Sequence, residues 1–164
     1  MYLMLLMQLT LWCGCKDKEI LYLYNTKITF PEVNDVSDSV KLSSWIDNDK
    51  FKICRYVPES GCIECDLNFV DTQSFVDSLV NAQYVFIICN KKRERILHLL
   101  KVNKYPYRVF VDTACLFVRL NKLPKDTQLQ TFLLDANDRI VGFGDPIKNQ
   151  SVKTFYSKVV NKRE

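Results

Sequence analysis

Pro58-Glu59-Ser60-Gly61-Cys62-Ile63-Glu64-Cys65 is the stretch on which the reading of this chain turns. It follows the strand-like run Lys52-Ile53-Cys54-Arg55-Tyr56-Val57 and leads into Asp66-Leu67-Asn68-Phe69-Val70. If the turn opens a helix, Cys62 sits at its N-terminal end, where unpaired N–H groups and the helix dipole stabilise an anion, and Cys65 lies one turn on. That arrangement favours a thiolate. The second thiol can attack a mixed disulfide formed at the first, so the pair can cycle between dithiol and disulfide.

Downstream of the dithiol, Leu67, Phe69, Val70, Phe75, Val76, Leu79 and Val80 recur at roughly helical spacing. Residues that cap helices interrupt them at Asp71-Thr72-Gln73-Ser74, which predicts a kinked or two-part helix. Residues 84–89 form a continuous apolar run rich in β-branched and aromatic side chains, as in a central strand covered on both faces. Residues 91–103 predict a helix with Ile96, Leu97, Leu99 and Leu100 inward, residues 108–112 a strand, and residues 113–120 a short helix. Residues 130–135 and 139–144 are strands separated by Ala136-Asn137-Asp138, an antiparallel hairpin. Residues 151–161 close the chain as an amphipathic helix with Val152, Phe155 and Val159 on its buried side and Tyr156 as a further candidate. Upstream, residues 27–30 alternate like a short strand, and 31–42 are polar and suit a surface connection. Residues 43–46 fit either a turn of helix or an edge strand.

A length of 164 residues with 48% hydrophobic content supports one domain with a proper core. The net charge of +4 is mild, and the one basic cluster, Lys91-Lys92-Arg93-Glu94-Arg95, carries its own acid at a helix start, so it reads as a solvated face rather than a nucleic-acid surface. The single histidine, His98, has no second metal ligand at a useful spacing and reads as an ordinary helix residue. Seven cysteines are many for such a domain. Cys54, Cys89 and Cys115 lie in apolar runs where free cysteine packs as a small hydrophobe, with a second redox pair as the lesser alternative. Cys62 and Cys65 lack a second ligand pair for zinc, so no metal and no cofactor are expected.

The order strand, Cys-x-x-Cys helix, strand, helix, strand, hairpin, helix resembles the thioredoxin-like family from Lys52 to the carboxyl end. It is similar in particular to the exported, membrane-tethered thiol-disulfide reductases of the cytochrome c maturation and peroxiredoxin-related branch. Cys62 and Cys65 carry that resemblance, together with Gln130-Thr131-Phe132-Leu133-Leu134-Asp135, similar to the Thr-Phe-aliphatic-aliphatic-Asp strand that faces the active site in that branch. The resemblance implies an α/β fold with a central mixed sheet flanked by helices and a C-terminal hairpin and helix. It also implies that Cys62 is the exposed nucleophile and Cys65 the resolving thiol, and that Leu129 and Gln130 border the substrate groove. Three positions depart from the family: Gly61 stands where Trp is frequent, the spacer Ile63-Glu64 carries a carboxylate, and Leu129 stands where the family places a cis-proline. The peroxiredoxin signature Pro-x-x-x-Thr-x-x-Cys can be laid on Pro58 and Cys65, but Cys62 then replaces the threonine whose hydroxyl would orient a peroxide.

Residues 1–12 are almost wholly apolar and too short to span a bilayer, so they read as the core of a signal segment; a buried strand or helix is the alternative. The Trp12-Cys13-Gly14-Cys15 after them resembles the lipobox of bacterial lipoproteins, with Cys15 as the lipidated residue. The expected organisation is a leader over 1–15, a tether over 16–26 and a thioredoxin-like domain over 27–164. On this resemblance the protein is an exported cell-envelope lipoprotein, periplasm-facing or in the outer membrane, that exchanges disulfides with exported proteins and is re-reduced by a membrane electron donor.

Two opposed influences act on Cys62: the helix N-terminus lowers its pKa, and Glu59 and Glu64 raise it if close. With no Lys, Arg or His in the local sequence, a moderately activated, reductase-like thiol is expected. The competing reading is a non-catalytic binding module in which Cys62 and Cys65 form a permanent structural disulfide.

Overall fold

Phe51–Val57 is buried at every residue because it is the middle strand of a five-stranded sheet. The computed structural model describes residues 22–66, 69–126 and 129–161. In chain order its elements are α1 (Leu42–Trp45), β1 (Phe51–Val57), α2 (Ile63–Asp66), α3 (Phe69–Asp77), β2 (Ala82–Ile88), α4 (Arg93–Val102), β3 (Phe110–Val111), α5 (Leu116–Asn121), β4 (Thr131–Leu134), β5 (Ile140–Phe143) and α6 (Gln150–Val160). The sheet order is β3-β2-β1-β4-β5, with β1, β2 and β3 parallel and the β4–β5 hairpin joined to β1 through antiparallel β4. This is the mixed sheet that the resemblance implies.

Alternation along the strands builds a core on each face, since successive side chains point opposite ways. Cys54 and Tyr56 of β1, Val85 and Ile87 of β2, and Phe132 and Leu134 of β4 pack together with Leu42, Phe110 and Phe117, under α1 and α5. On the other face Val57, Phe86 and Ile88 meet Ile63 of α2 and Ile96 and Leu100 of α4. Ile53 and Leu133 meet Phe75 of α3 and Tyr156 and Val160 of α6. The parallel β1–β2 pair with helices crossing it sends the C-terminal ends of both strands to one rim of the sheet, and the dithiol loop leaves from that rim.

The segment expected as a surface connection over 31–42 is part of the core. Val33, Val36 and Leu42 are buried, and Asp35 is fully buried. Its polar residues serve a turn: Asp35 Oδ1 accepts from the Ser37 N–H at 2.7 Å and from the Ser37 hydroxyl, and Oδ2 accepts from the Val109 N–H at 3.2 Å. The Val36 N–H then donates to the Val109 carbonyl at 2.9 Å, laying this segment along the outer edge of β3. β3 itself is shorter than the run 108–112 suggested.

Residues 27–30 do not form a strand of their own. Lys27 makes an isolated bridge with Arg139, and the Ile28 N–H donates to the Asp138 carbonyl at 2.8 Å, so this segment borders β5. The leader with Cys15, and residues 16–21 of the expected tether, lie outside the described residues. Residues 22–26 belong to the domain: Leu23 is buried, and the Asn25 N–H donates to the Ile140 carbonyl at 2.9 Å. No helix among the described residues is long and apolar enough to cross a membrane.

Two helix details also differ from expectation. Residues 71–74 lie inside α3 rather than interrupting it; Asp71 and Ser74 sit on its exposed side. In α6 the buried ridge is Tyr156 and Val160, four residues apart, while Phe155 is 43% exposed. Phe155 covers Gly142 of β5, where a Cβ would stand 2.6 Å from Phe155 Cε1. Asn149 caps this helix by accepting from the Ser151 and Val152 N–H groups at 2.9 and 3.2 Å.

Candidate functional site

β1 ends at Val57, and residues 58–61 turn back sharply, with the Gly61 N–H donating to the Pro58 carbonyl at 2.8 Å. This tightness accounts for Gly61. A Cβ there would lie 2.7 Å from Val57 Cγ1 and 3.0 Å from the Pro58 oxygen, so a large aromatic residue has no room in this turn. Gly61→Ala is expected to destabilise the domain by roughly 1–3 kcal/mol, because Val57 is buried and β-branched and cannot swing aside; urea unfolding measures it.

The turn delivers Cys62 to the position just before α2. The spacer residues then have opposite tasks. Ile63 is 4% exposed and anchors α2 against Val57, Ile88 and Ile96, whereas Glu64 points to solvent. Cys62 and Cys65 are bonded, with Cα atoms 5.3 Å apart, inside the range that disulfides span. The Cys65 N–H donates to Cys62 Sγ at 3.3 Å, one of the unpaired amides of the helix start put to use. That contact distinguishes the two sulfurs: once the pair is reduced, a donor so placed stabilises a thiolate at Cys62. Exposure does not separate them, because both cysteines are exposed, and Cys65 is not sunk beneath its partner in this four-residue helix.

The carboxylates of the loop are each drawn to a base from the helix region after β2. Glu64 Oε1 receives Arg95 Nη2 at 3.2 Å, and Glu59 Oε1 lies 3.8 Å from Lys91 Nζ. Its own backbone N–H and then the Arg95 guanidinium hold the Glu64 carboxyl below the usual carboxylate range, so it is ionised. The basic residues missing from the local sequence are therefore supplied by the fold. We expect Arg95→Ala to slow alkylation of reduced Cys62 by iodoacetamide at neutral pH by about twofold, a modest effect fitting exposed charges, and Glu64→Gln to reverse it.

Cys62 and Cys65 border a cleft of about 160 Å³ with Pro58 and Gly61 on one side and Arg55, Gln130 and Lys148 on the other. Arg55 reaches it from β1, donating to Thr131 Oγ1 and lying 3.3 Å from Asp145 Oδ2; Lys148 Nζ lies 3.7 Å from the same oxygen. Sequence reading passed over both cations. Arg55 carried a signal all the same, as one of two charged residues, with Lys52, in a largely apolar strand; Lys148 carried none. Gln130, expected at the groove, is 4% exposed and fixed at both ends: its carbonyl accepts from the Tyr56 N–H at 2.9 Å and its side-chain amide donates to the Pro124 carbonyl at 3.3 Å. Leu129, beside it, is half-buried and does not line the cleft, and there is no cis peptide bond among the described residues.

No protein-family model matches the chain, and no curated protein sequence matches it. Solved structures do. The thioredoxin domain of a thiol-disulfide oxidoreductase from Bacteroides vulgatus superposes with a TM-score of 0.62 at 13% identity, covering 84% of this chain and 98% of that one. Peroxidoxin BcpB from Mycobacterium tuberculosis gives 0.61 at 12% identity, covering 84% and 94%. StoA from Bacillus subtilis gives 0.54 at 12% identity, covering 83% and 97%. The fold is thioredoxin-like. Within it the dithiol occupies the exit of the middle strand, at the amino end of the helix next in the chain, as the resemblance in the sequence implied.

Of the other cysteines, Cys54 is fully buried on β1, and burial pushes its thiol well up, so it stays protonated packing material in this thioredoxin-like core. Cys89 and Cys115 are not separate fillers. Their Cα atoms are 5.1 Å apart. His98 is exposed on α4.

Proposed function

We propose that this chain is a thiol-disulfide oxidoreductase that reduces protein disulfides, with Cys62 as the attacking thiolate and Cys65 as the resolving thiol. The observation that carries it is the pair itself: two exposed, bonded sulfurs at a helix start, one of them receiving a backbone N–H at 3.3 Å, on the rim of a cleft that a client chain can reach. In the reduced state Cys62 attacks one client sulfur and the other client sulfur leaves as a thiolate. Cys65 then attacks Cys62 Sγ, which frees the first client sulfur and closes the Cys62–Cys65 disulfide, so two electrons pass to the client.

Purified protein is expected to accelerate insulin reduction by dithiothreitol. Absence of turnover, with a Cys62–Cys65 disulfide that resists mild reductant, would instead make the domain a binding module. The same reading predicts a reduction potential well below that of the strongest periplasmic oxidants, about −120 mV; a value that oxidising would reverse the direction of the reaction.

The apolar residues 1–12 ending at Trp12-Cys13-Gly14-Cys15 support a tether through a lipidated Cys15, exported proteins as clients and a membrane donor for re-reduction. Metabolic labelling with a radioactive fatty acid is expected to mark the wild type and to spare Cys15→Ser. Label that persists in that variant removes the tether from the reading.

A further inference from the structure

We propose that Cys89 and Cys115 form a second dithiol–disulfide site, separate from Cys62 and Cys65, that ties the exit of β2 to the start of α5. The backbone builds this meeting independently of the sulfurs. The Cys89 N–H donates to the Val57 carbonyl at 2.9 Å, which fixes Cys89 at the end of the sheet. The Asp112 N–H donates to the Ile88 carbonyl at 2.9 Å, which brings the chain after β3 alongside. From there buried Asp112 holds the next turn at two points: its carbonyl accepts from the Cys115 N–H at 3.2 Å, and its Oδ2 accepts from the Phe117 N–H at 2.8 Å. The result places the two Cα atoms 5.1 Å apart, inside the range that disulfides span.

Cys115 also occupies a backbone position that a cysteine has no conformational reason to hold. Its φ is +50°, in the left-handed region where Gly or Asn is favoured and other residues are strained. Cys115 is half-buried and packs against the same core as Cys89, which is 1% exposed.

That difference in exposure sets the chemistry. The thiolate of an external dithiol reaches Cys115 Sγ, the S–S bond breaks, and Cys89 leaves as a thiolate that takes a proton from solvent. The second thiol of the dithiol then attacks its own linked sulfur and displaces Cys115, which is protonated in turn. One disulfide is broken in the protein and one formed in the reductant, and two electrons are transferred. The domain therefore stores two disulfides, of which only one lies on the client cleft.

The test uses the full chain carrying Cys62→Ser and Cys65→Ser, so its outcome does not depend on the activity proposed above. The protein is equilibrated in oxidised or reduced dithiothreitol, quenched in acid, alkylated with N-ethylmaleimide, digested and mapped by mass spectrometry. Oxidised samples are expected to yield the Cys89 and Cys115 peptides joined, and reduced samples to yield both alkylated. The thermal midpoint is expected to fall by about 10 °C on reduction, and the fall is expected to vanish when Cys115→Ser is added. Both cysteines recovered alkylated and unjoined from folded, oxidised protein would overturn the proposal, whether or not the triple variant folds. So would one zinc ion per chain that stays bound through gel filtration and is lost with Cys115→Ser. Glu59, Cys89 and Cys115 present ligand atoms within 4.8 Å of one another, and such retention would make them a metal site instead.

Discussion

Cys65→Ser is expected to accumulate client proteins as mixed disulfides through Cys62, and Cys62→Ser to accumulate none. The asymmetry comes from the contact between the pair. Cys62 Sγ receives the Cys65 N–H at 3.3 Å at the opening of α2, so negative charge is stabilised on that sulfur before any client arrives. A serine at residue 65 keeps this backbone donor and removes only the thiol that would release the client. A serine at residue 62 removes the sulfur that makes the bond. Insulin reduction should fall by at least about a hundredfold in both variants, while only Cys65→Ser shows reductant-sensitive, high-mass species on non-reducing gels. Equal trapping by the two variants would refute the assignment of roles. Because both cysteines are exposed, exposure alone would permit equal trapping, which is what gives the experiment its force.

The largest expected loss of stability lies away from the dithiol. Lys52 is fully buried in the middle strand, with Nζ 2.9 Å from Asp138 Oδ1 and donating to the Ala136 carbonyl at 3.2 Å. Asp138→Asn keeps a residue that tolerates the φ of +63° at this position and deletes the charge, leaving the ammonium buried without its counter-ion. A cost of about 3 kcal/mol is expected in urea unfolding, near the low end for breaking a buried pair because the Asp138 side chain is 20% exposed. Lys52→Met added to Asp138→Asn should recover most of it, since the pair is then removed whole. A double variant no more stable than Asp138→Asn would mean that the lysine stem, not its charge, was the stabilising part.

The dithiol was legible in the sequence because spacing and turn residues are local properties: Pro58 to Gly61 stop the strand, and Cys62 stands at the head of the next helix. The order of strands and helices was legible for the same reason, each run carrying its own period or, over 84–89, its own length and composition. Meetings set by topology could not be read in this way. Lys91 and Arg95 come to the dithiol loop only because α4 comes after β2 and β2 lies beside β1. Cys89 and Cys115 looked like two small hydrophobes in two apolar runs; nothing in either run says that the end of β2 faces the start of α5. The error over 31–42 has another origin. Asn, Asp and Ser there mark a turn correctly, but Val33, Val36 and Leu42 obey no period, and a buried Asp35 that satisfies a turn resembles an exposed one in sequence.

The arrangement at the two borders of the sheet bears on what an extended polypeptide could pair with. Residues 25–28 hydrogen-bond along β5, and residues 34–36 do the same along β3, a strand only two residues long. Among the described residues β3 is thus covered along its length and β5 at its Ile140 end, which shortens the rows of open amides onto which an extended polypeptide could add itself by β-augmentation. Under the proposed function, strand pairing at these borders then contributes little to holding a client, which leaves the grip to the surroundings of its sulfur.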